Sequence, residues 1–375
     1  PLLGFILSYF LRYVMIGDQD SGEYVFYEND NLIVYMFMAI IVALFLGLTV
    51  SAEEIFKDQK IRKRESFLNL SKGSYLISKI VIMFLLSGIQ MFMFIVLGNM
   101  ILGIDGMLWD YWLILFSTAC FANMLGLNIS ASFNSAVTIY IIIPFLIIPQ
   151  ILFSGVLVKF EKLNPVITSQ SIVPLIGEVM ASRWAFEALA VNQFIENDYE
   201  ELFYDFDQQM SDANFKKNFW IPEMKAKVGK FKEFLRNKEE AKEEDIASDL
   251  KTVRHEVAKE NKINDALSFD ELDQFTAEGL NKELLEDFST YLTTLNNLYV
   301  RQWNYNSDEK DRVIREHQKT DEEKAAFNAL RNNFENESLS DLVTNKNEFN
   351  QITEYDGELI QRADPVLNIP DGFRS

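Results

Sequence analysis

The chain has 375 residues, with 55 acidic and 35 basic side chains, a net charge of −20 and 49 % hydrophobic residues. That acidity excludes a nucleic-acid partner, because gripping phosphates needs a basic surface. A lone cysteine, Cys120 inside an apolar run, excludes disulfides and cysteine-rich zinc sites, and its ordinary role is that of a small buried residue.

Composition changes abruptly near residue 190. Residues 1–190 carry 14 acidic and 11 basic side chains, whereas residues 191–375 carry 41 and 24. The long apolar runs fall almost wholly in the first half. A membrane part is therefore predicted before this boundary and a water-soluble part after it.

A bilayer-crossing helix needs roughly 20 mostly apolar residues, because lipid offers backbone amides no partner. Spans are predicted at about 32–51, 75–103, 109–127 and 135–158. Residues 1–16 read as the remainder of a helix cut at its start, so the chain is expected to be a piece of something longer. The connection 52–79 holds seven basic residues, among them Lys57, Arg62 and Lys79. The connection 17–31 holds five acidic residues and no basic one, and the turn 105–110 has no basic residue either. The positive-inside rule then puts 52–79 in the cytoplasm and the other two outside, and alternation puts everything after Val158 outside.

From 159 to 190 a moderately apolar stretch is broken by Pro165, Pro174 and Gly177. It reads as a re-entrant or interfacial hairpin, with Arg183 and Trp184 at headgroup level. Residues 191–375 read as an acidic, mainly helical extracytoplasmic domain. Lys225–Asn261 is rich in Lys, Glu and Ala with spaced apolar residues, and Leu284, Leu285, Phe288, Leu292 and Leu295 keep helical spacing. Ser268 with Glu271, and Thr320 with Glu323, have the spacing of capping boxes that open helices. Tyr355-Asp356-Gly357 marks a turn, followed by an extended return through Pro365 and Pro370. The fold class is all-α: a polytopic membrane bundle of five spans, with a sixth expected after the chain end, plus a helical external domain.

The segment after the second span reads Ala52-Glu53-Glu54-Ile55-Phe56-Lys57-Asp58-Gln59-Lys60-Ile61-Arg62-Lys63-Arg64-Glu65 and on to about residue 71, then Ser74-Tyr75-Leu76-Ile77-Ser78-Lys79. It is a charged helical stretch followed by re-entry into the bilayer. On the residues alone, its basic face fits either a coupling lever or an anchor at anionic headgroups. Two further runs are Phe153-Ser154-Gly155-Val156-Leu157-Val158 and Ser182-Arg183-Trp184-Ala185-Phe186-Glu187-Ala188-Leu189. In order and spacing, the three resemble the transmembrane half of the G-subfamily ABC exporters, the eye-pigment and sterol transporter type. The chain departs from better-known members in its larger external domain and in lacking that domain's paired cysteines.

The resemblance implies the rest. The stretch at about 53–71 would be the coupling helix that touches the ATPase, with Asp58, Arg62, Arg64 and Glu65 on its working face. Tyr75 and Lys79 would occupy the family's approach to the third span. Phe45, Leu46, Ile147, Ile148 and Ile151 would line a substrate cavity between two copies of the chain, although each fits lipid-facing or packing roles equally. Gly155, Val156 and Leu157 would plug its outer end, and Arg183 and Glu187 belong to the re-entrant motif. Pro144 and Pro149 should kink the fifth span, and Gln150 beside them is either a cavity residue or an interhelix hydrogen bond.

No phosphate-cradling Gly-x-x-x-x-Gly-Lys-Ser/Thr run occurs, so ATP and Mg are expected to be handled by an ATPase domain before Pro1 or on another chain. His255 and His317 lack any catalytic spacing, and no metal site or catalytic residue is expected. The reading is an ATP-driven exporter permease for a hydrophobic or amphiphilic cargo. It is expected in the bacterial inner membrane, as a homodimer with ABC ATPase domains. The alternative is a membrane-anchored sensing protein whose external domain binds a periplasmic partner.

Overall fold

Leu32–Ser51 is twenty residues without a charge, and it forms a helix in the computed structural model. The structure describes residues 1–12, 24–65, 71–133, 135–164, 174–236, 243–264, 267–345, 351–355 and 357–368, without the side chains of residues 59, 60, 62, 63, 65, 161, 243 and 244. The chain divides into two compact units, Pro1–Glu200 with Asn328–Ser340, and Glu201–Phe327 with Asp341–Ser375. The first boundary lies ten residues beyond the break in composition.

The first unit contains α1 (Leu2–Leu11), α2 (Leu32–Ser51), α3 (Glu54–Glu65), α4 (Lys72–Leu102), α5 (Leu108–Ser132), α6 (Ala136–Leu152), the short α7 (Leu175–Glu178) and α8 (Ala181–Ile195). Three helices, beginning at Leu32, Lys72 and Leu108, are long and apolar enough to cross a membrane. The described part of α1 is shorter, and residues 13–16 of the predicted first span lie outside the described residues.

The fifth predicted span ends at Leu152 rather than 158, a correction with a local cause. Ser154 Oγ donates to the Ile151 carbonyl at 2.9 Å and accepts from Val156 N–H at 3.3 Å, and Gly155 adopts φ +79°, so the chain turns out of the helix. The remaining 17 residues rise about 26 Å, slightly less than a ~30 Å hydrocarbon core. Pro144 and Pro149 both lie inside α6.

Small residues set the packing. A Cβ on Gly47 would fall 2.6 Å from the Ala119 carbonyl oxygen, so α2 and α5 meet backbone to backbone. Lower down, a Cβ on Gly126 would fall 2.0 Å from Ser51 Oγ. Without a hydrophobic effect between apolar helices in lipid, such close approach and interhelix hydrogen bonds supply the adhesion. Trp112 Nε1 donates to the Gly88 carbonyl at 3.0 Å and Asn123 Nδ2 to Ser87 Oγ at 2.8 Å, joining α4 to α5. The broken stretch around 165–173 lies outside the described residues, but α8 after it packs on α2, α5 and α6.

The second unit holds α9 (Tyr204–Phe215), a π-helical turn at Lys216–Trp220, α10 (Ile221–Arg236), α11 (Glu243–Ile263), α12 (Lys282–Glu316), the first half of α13 (Asp321–Phe334) and the end of α14 (Glu337–Val343). Its core is built around Trp220, Phe231, Val253, Phe275, Phe288 and Leu292, all nearly inaccessible. The apolar stripe of α12 falls where its spacing predicts, with Leu284, Leu285, Phe288, Leu292 and Leu295 buried.

The described residues of Lys225–Asn261 fall in two helices, α10 and α11. One local reading needs correction. Ser268 and Glu271 do not open an α-helix: Ser268 Oγ turns to Asp270, and only a short 3₁₀ turn follows at Leu272–Gln274. The helix start lies at Asn281, whose Oδ1 accepts from Leu284 N–H at 2.9 Å. The other capping box forms as expected, Thr320 and Glu323 exchanging reciprocal bonds of 3.1 and 3.2 Å. After α14 comes a hairpin, β1 (Ile352–Tyr355) antiparallel to β2 (Glu358–Gln361), with Gly357 at φ +81° in its turn.

Candidate coupling elbow and its surroundings

At one end of the first unit, Ser51 closes α2 and the chain begins α3 three residues later. A helix leaves its first backbone N–H groups unpaired, and a side-chain oxygen ordinarily takes one. Here the acceptor comes from elsewhere: Ser130 Oγ, buried near the end of α5, accepts from Ile55 N–H and Phe56 N–H, each at 2.9 Å. The start of α3 is thus pinned to α5. Ile55 is buried beneath it.

The other attachment is ionic. Lys79, two turns into α4, reaches Glu54 Oε2 and Asp58 Oδ2 at 2.9 Å each. Tyr75 Oη, one turn earlier on the same face, donates to Asp58 Oδ2 at 2.9 Å. Glu54 and Asp58 stand four residues apart on one face of α3, as Tyr75 and Lys79 do on α4. The four side chains are only partly exposed, and together they tie α3 to α4. Just before α3, Glu53 pairs with Lys57 at 2.6 Å. Ser71 caps α4, its Oγ accepting from Ser74 N–H.

Of the residues singled out in the sequence, Asp58, Tyr75 and Lys79 come together. Arg64 is exposed on the last turn of α3, and the side chains of Arg62 and Glu65 lie outside the described residues, as does 66–70 of the predicted 53–71 helix. Glu54 and Ser130 were missed. Glu54 had a signal, its i,i+4 spacing to Asp58. Ser130 had none, because nothing in sequence relates it to a helix 75 residues earlier.

The candidate cavity residues lie on α2 and α6, which pack together. Phe45 and Ile148 are about half exposed, Leu46 and Ile151 less so, and Ile147 is buried. At the end of α6, a Cβ on Gly155 would meet the Phe160 ring at 2.8 Å, while Leu157 is exposed. Gln150 resolves to the second of its two readings: its Oε1 accepts from Ser182 N–H at 3.0 Å and its carbonyl accepts from Ser182 Oγ at 2.5 Å, a double link from α6 to α8. Next to it, Arg183 pairs with Glu178 at 2.9 Å and Glu187 at 3.6 Å and lies over the Trp184 ring.

At the connection preceding α2, residues 328–340 dock onto residues 26–30. Asn336, 4 % exposed, donates through Nδ2 to the carbonyls of Phe26 at 2.9 Å and Asn29 at 3.0 Å. Arg331 donates to Tyr27 Oη at 2.9 Å and lies over its ring, and Ser338 bonds Asp30. Among the described residues no group of His, Cys, Asp and Glu could hold a metal.

Three helices are long and apolar enough to cross a membrane, and comparison supplies the family. The profile of the ABC-2 type transporter membrane domain matches residues 2–194. The chain belongs to the ABC-2 type transporter family. The match covers nearly the whole first unit and stops before the acidic one, so this chain is the permease of an ABC transporter, a family that works with an ABC ATPase. Comparison with curated proteins and with solved structures returned no match.

Proposed function

We propose that this ABC-2 permease is the transmembrane half of a G-subfamily type exporter, working as a homodimer in a bacterial inner membrane and driven through α3. The knot of Glu54, Asp58, Tyr75 and Lys79 carries the reading. A lever has to be rigid where it is pushed and joined to what it moves. The knot, with the Ser130 cap, ties α3 to α4 and α5 at once. ATP and Mg belong to the ATPase domain, whose closure presses on α3, and the exposed Arg64 is available to that contact.

The cargo path runs between copies along α2 and α6, where Phe45, Leu46, Ile148 and Ile151 offer apolar area without hydrogen-bond groups and the buried Ile147 backs them. That suits a hydrophobic or amphiphilic molecule, with Gly155, Val156 and Leu157 as the outer closure. The acidic unit lies outside. The docking of residues 328–340, part of the first unit, on the acidic connection before α2 supports this, because the chain enters the rest of the acidic unit directly from there. The basic elbow then faces the cytoplasm.

The test is ATP hydrolysis and transport by the full-length protein with its ATPase, comparing wild type with Lys79→Met and Asp58→Asn. The coupling role predicts that transport falls at least tenfold while basal hydrolysis persists. Full transport in both variants argues against it. A second reading, a sensing unit for a periplasmic partner, draws on the separate core of the acidic unit. Excising the acidic unit separates the readings: transport that survives makes the unit accessory, with partner binding as its remaining role.

A further inference from the structure

Residues 328–340 belong to the first unit although they follow α12 in sequence, and Asn336 anchors them there. Its whole side chain is engaged. Nδ2 gives one proton to the Phe26 carbonyl and one to the Asn29 carbonyl, while Oδ1 accepts from Leu339 N–H at 3.0 Å and so caps α14. The bonds continue beyond Asn29, which is 0 % exposed. Its Oδ1 accepts from Asn31 N–H and its Nδ2 donates to Tyr24 Oη, each at 3.1 Å. Tyr24 Oη in turn donates to the Leu102 carbonyl at 2.6 Å. Leu102 is the last residue of α4, and its carbonyl is one of those a helix leaves unpaired at its end. Arg12, at the end of α1, lies over the Tyr24 ring at 4.4 Å. The ends of α1 and α4 and the connection into α2 thus gather on Tyr24, and Asn336 fixes the backbone that presents it.

The opposite end of α4 is the one knotted to α3 through Tyr75 and Lys79. No proline interrupts its 31 residues, so it can act as one rod, rising about 46 Å from the elbow to Leu102. A rod held at its far end resists displacement at the near one.

We propose that Asn336 is a positioning residue for ATP-driven transport: acting through Asn29 and Tyr24, it clasps the far end of α4 to the connection into α2 and thereby loads the elbow. The inference rests on the reading of α3 as the lever. Neutral hydrogen bonds suit a clasp that yields once in each cycle, because each is modest in net strength. Asn336 fits the task because an amide supplies two donors for the two carbonyls and an acceptor for the cap at once.

The test is basal ATP hydrolysis, with no cargo added, by the full-length protein with its ATPase. Asn336→Ser keeps an acceptor for Leu339 N–H and removes both donors. Tyr24→Phe removes only the hydroxyl that reaches Leu102, and it serves as well if Asn336→Ser fails to fold. Releasing the clasp unloads the elbow, so each variant should hydrolyse ATP at least threefold faster than wild type. A merely structural role predicts an unchanged or lowered rate, and that result overturns the proposal. In a Lys79→Met background the elbow is cut from α4, and the same changes should add nothing. An equal rise in both backgrounds shows that the clasp does not act through the elbow and also overturns the proposal. The lever reading is judged separately, by transport in Lys79→Met alone, so the two failures are told apart.

Discussion

The two units treat polarity inside their cores in opposite ways. Between its spanning helices the membrane unit buries neutral groups, such as Asn123 on Ser87 and Tyr111 on Gln193, and it keeps the knot of full charges at the start of α3 and α4. The acidic unit buries whole ions. Glu260 is 0 % exposed and meets Lys216 at 2.6 Å, with Tyr299 and Asn264 completing its bonds. Lys227, 1 % exposed, lies 2.5 Å from Asp249 and 2.7 Å from Glu354, while Trp220 Nε1 reaches Glu256. Asp249, Glu256 and Glu260 share one face of α11, and the hairpin closes over it through Glu354 and the Leu359 N–H.

The difference teaches where each unit is vulnerable. Buried ion pairs add little net stability when intact, yet removing one partner strands the other in a dry core. Neutral interhelix bonds in a bilayer are individually modest, because helices that separate in lipid remain helices.

The largest expected effect is therefore in the acidic unit. Lys216→Ala or Glu260→Ala should destabilise it by about 3–5 kcal/mol, measured by denaturant unfolding followed through tryptophan fluorescence, and should leave the membrane helices intact by circular dichroism. A loss below about 1 kcal/mol in both would erase the contrast between the units. Next in size is the α2–α5 contact: Gly47→Val should cost about 1–3 kcal/mol by overpacking against the Ala119 carbonyl, seen as a lower thermal midpoint in detergent.

Acid should distinguish the units as well. Burial works against the charge of Glu260, but Lys216, Tyr299 and Asn264 outweigh it and hold the carboxylate below its ordinary range; Lys227 and Lys230 do the same for Asp249 against its burial. A depressed carboxylate contributes stability above its unfolded value, about 4, and loses it as pH falls through the folded one. Melting monitored between pH 6 and 3 should show the acidic unit weakening below about pH 4, while Glu260→Gln is weaker at pH 6 and flatter across the range. The smallest effect is Ser130→Ala, about 1 kcal/mol for a lost helix cap, and it should blunt transport more than stability because it frees α3 from α5.

What could be read from sequence divides along the same line. Long apolar runs, charged only near their ends, announce α2, α4 and α5, since lipid imposes length and composition on any crossing helix. The apolar stripe of α12 and the Thr320–Glu323 cap were equally plain, being local patterns. The end of α6 was hidden, because Phe153–Val158 is as apolar as a span and only the turn at Ser154 and Gly155 stops the helix. Asp58, Tyr75 and Lys79 could be placed by motif, but their joining needed α3 folded against α4. Ser130, Asn336 and the ion pairs of α11 were not legible at all. Each depends on partners 20 to 310 residues away, and a charged residue destined for a core looks no different in sequence from one on a solvated face.

The account turns on the basic elbow and the acidic unit lying on opposite sides of the membrane. In a Cys120→Ser background, single cysteines at Arg64 and at Lys319, both exposed positions, can be challenged in intact cells with a membrane-impermeant maleimide. Labelling at 319, with protection at 64 until the cells are broken, is the predicted result. Labelling at 64 with protection at 319 would invert the topology and remove α3 from the reach of an ATPase.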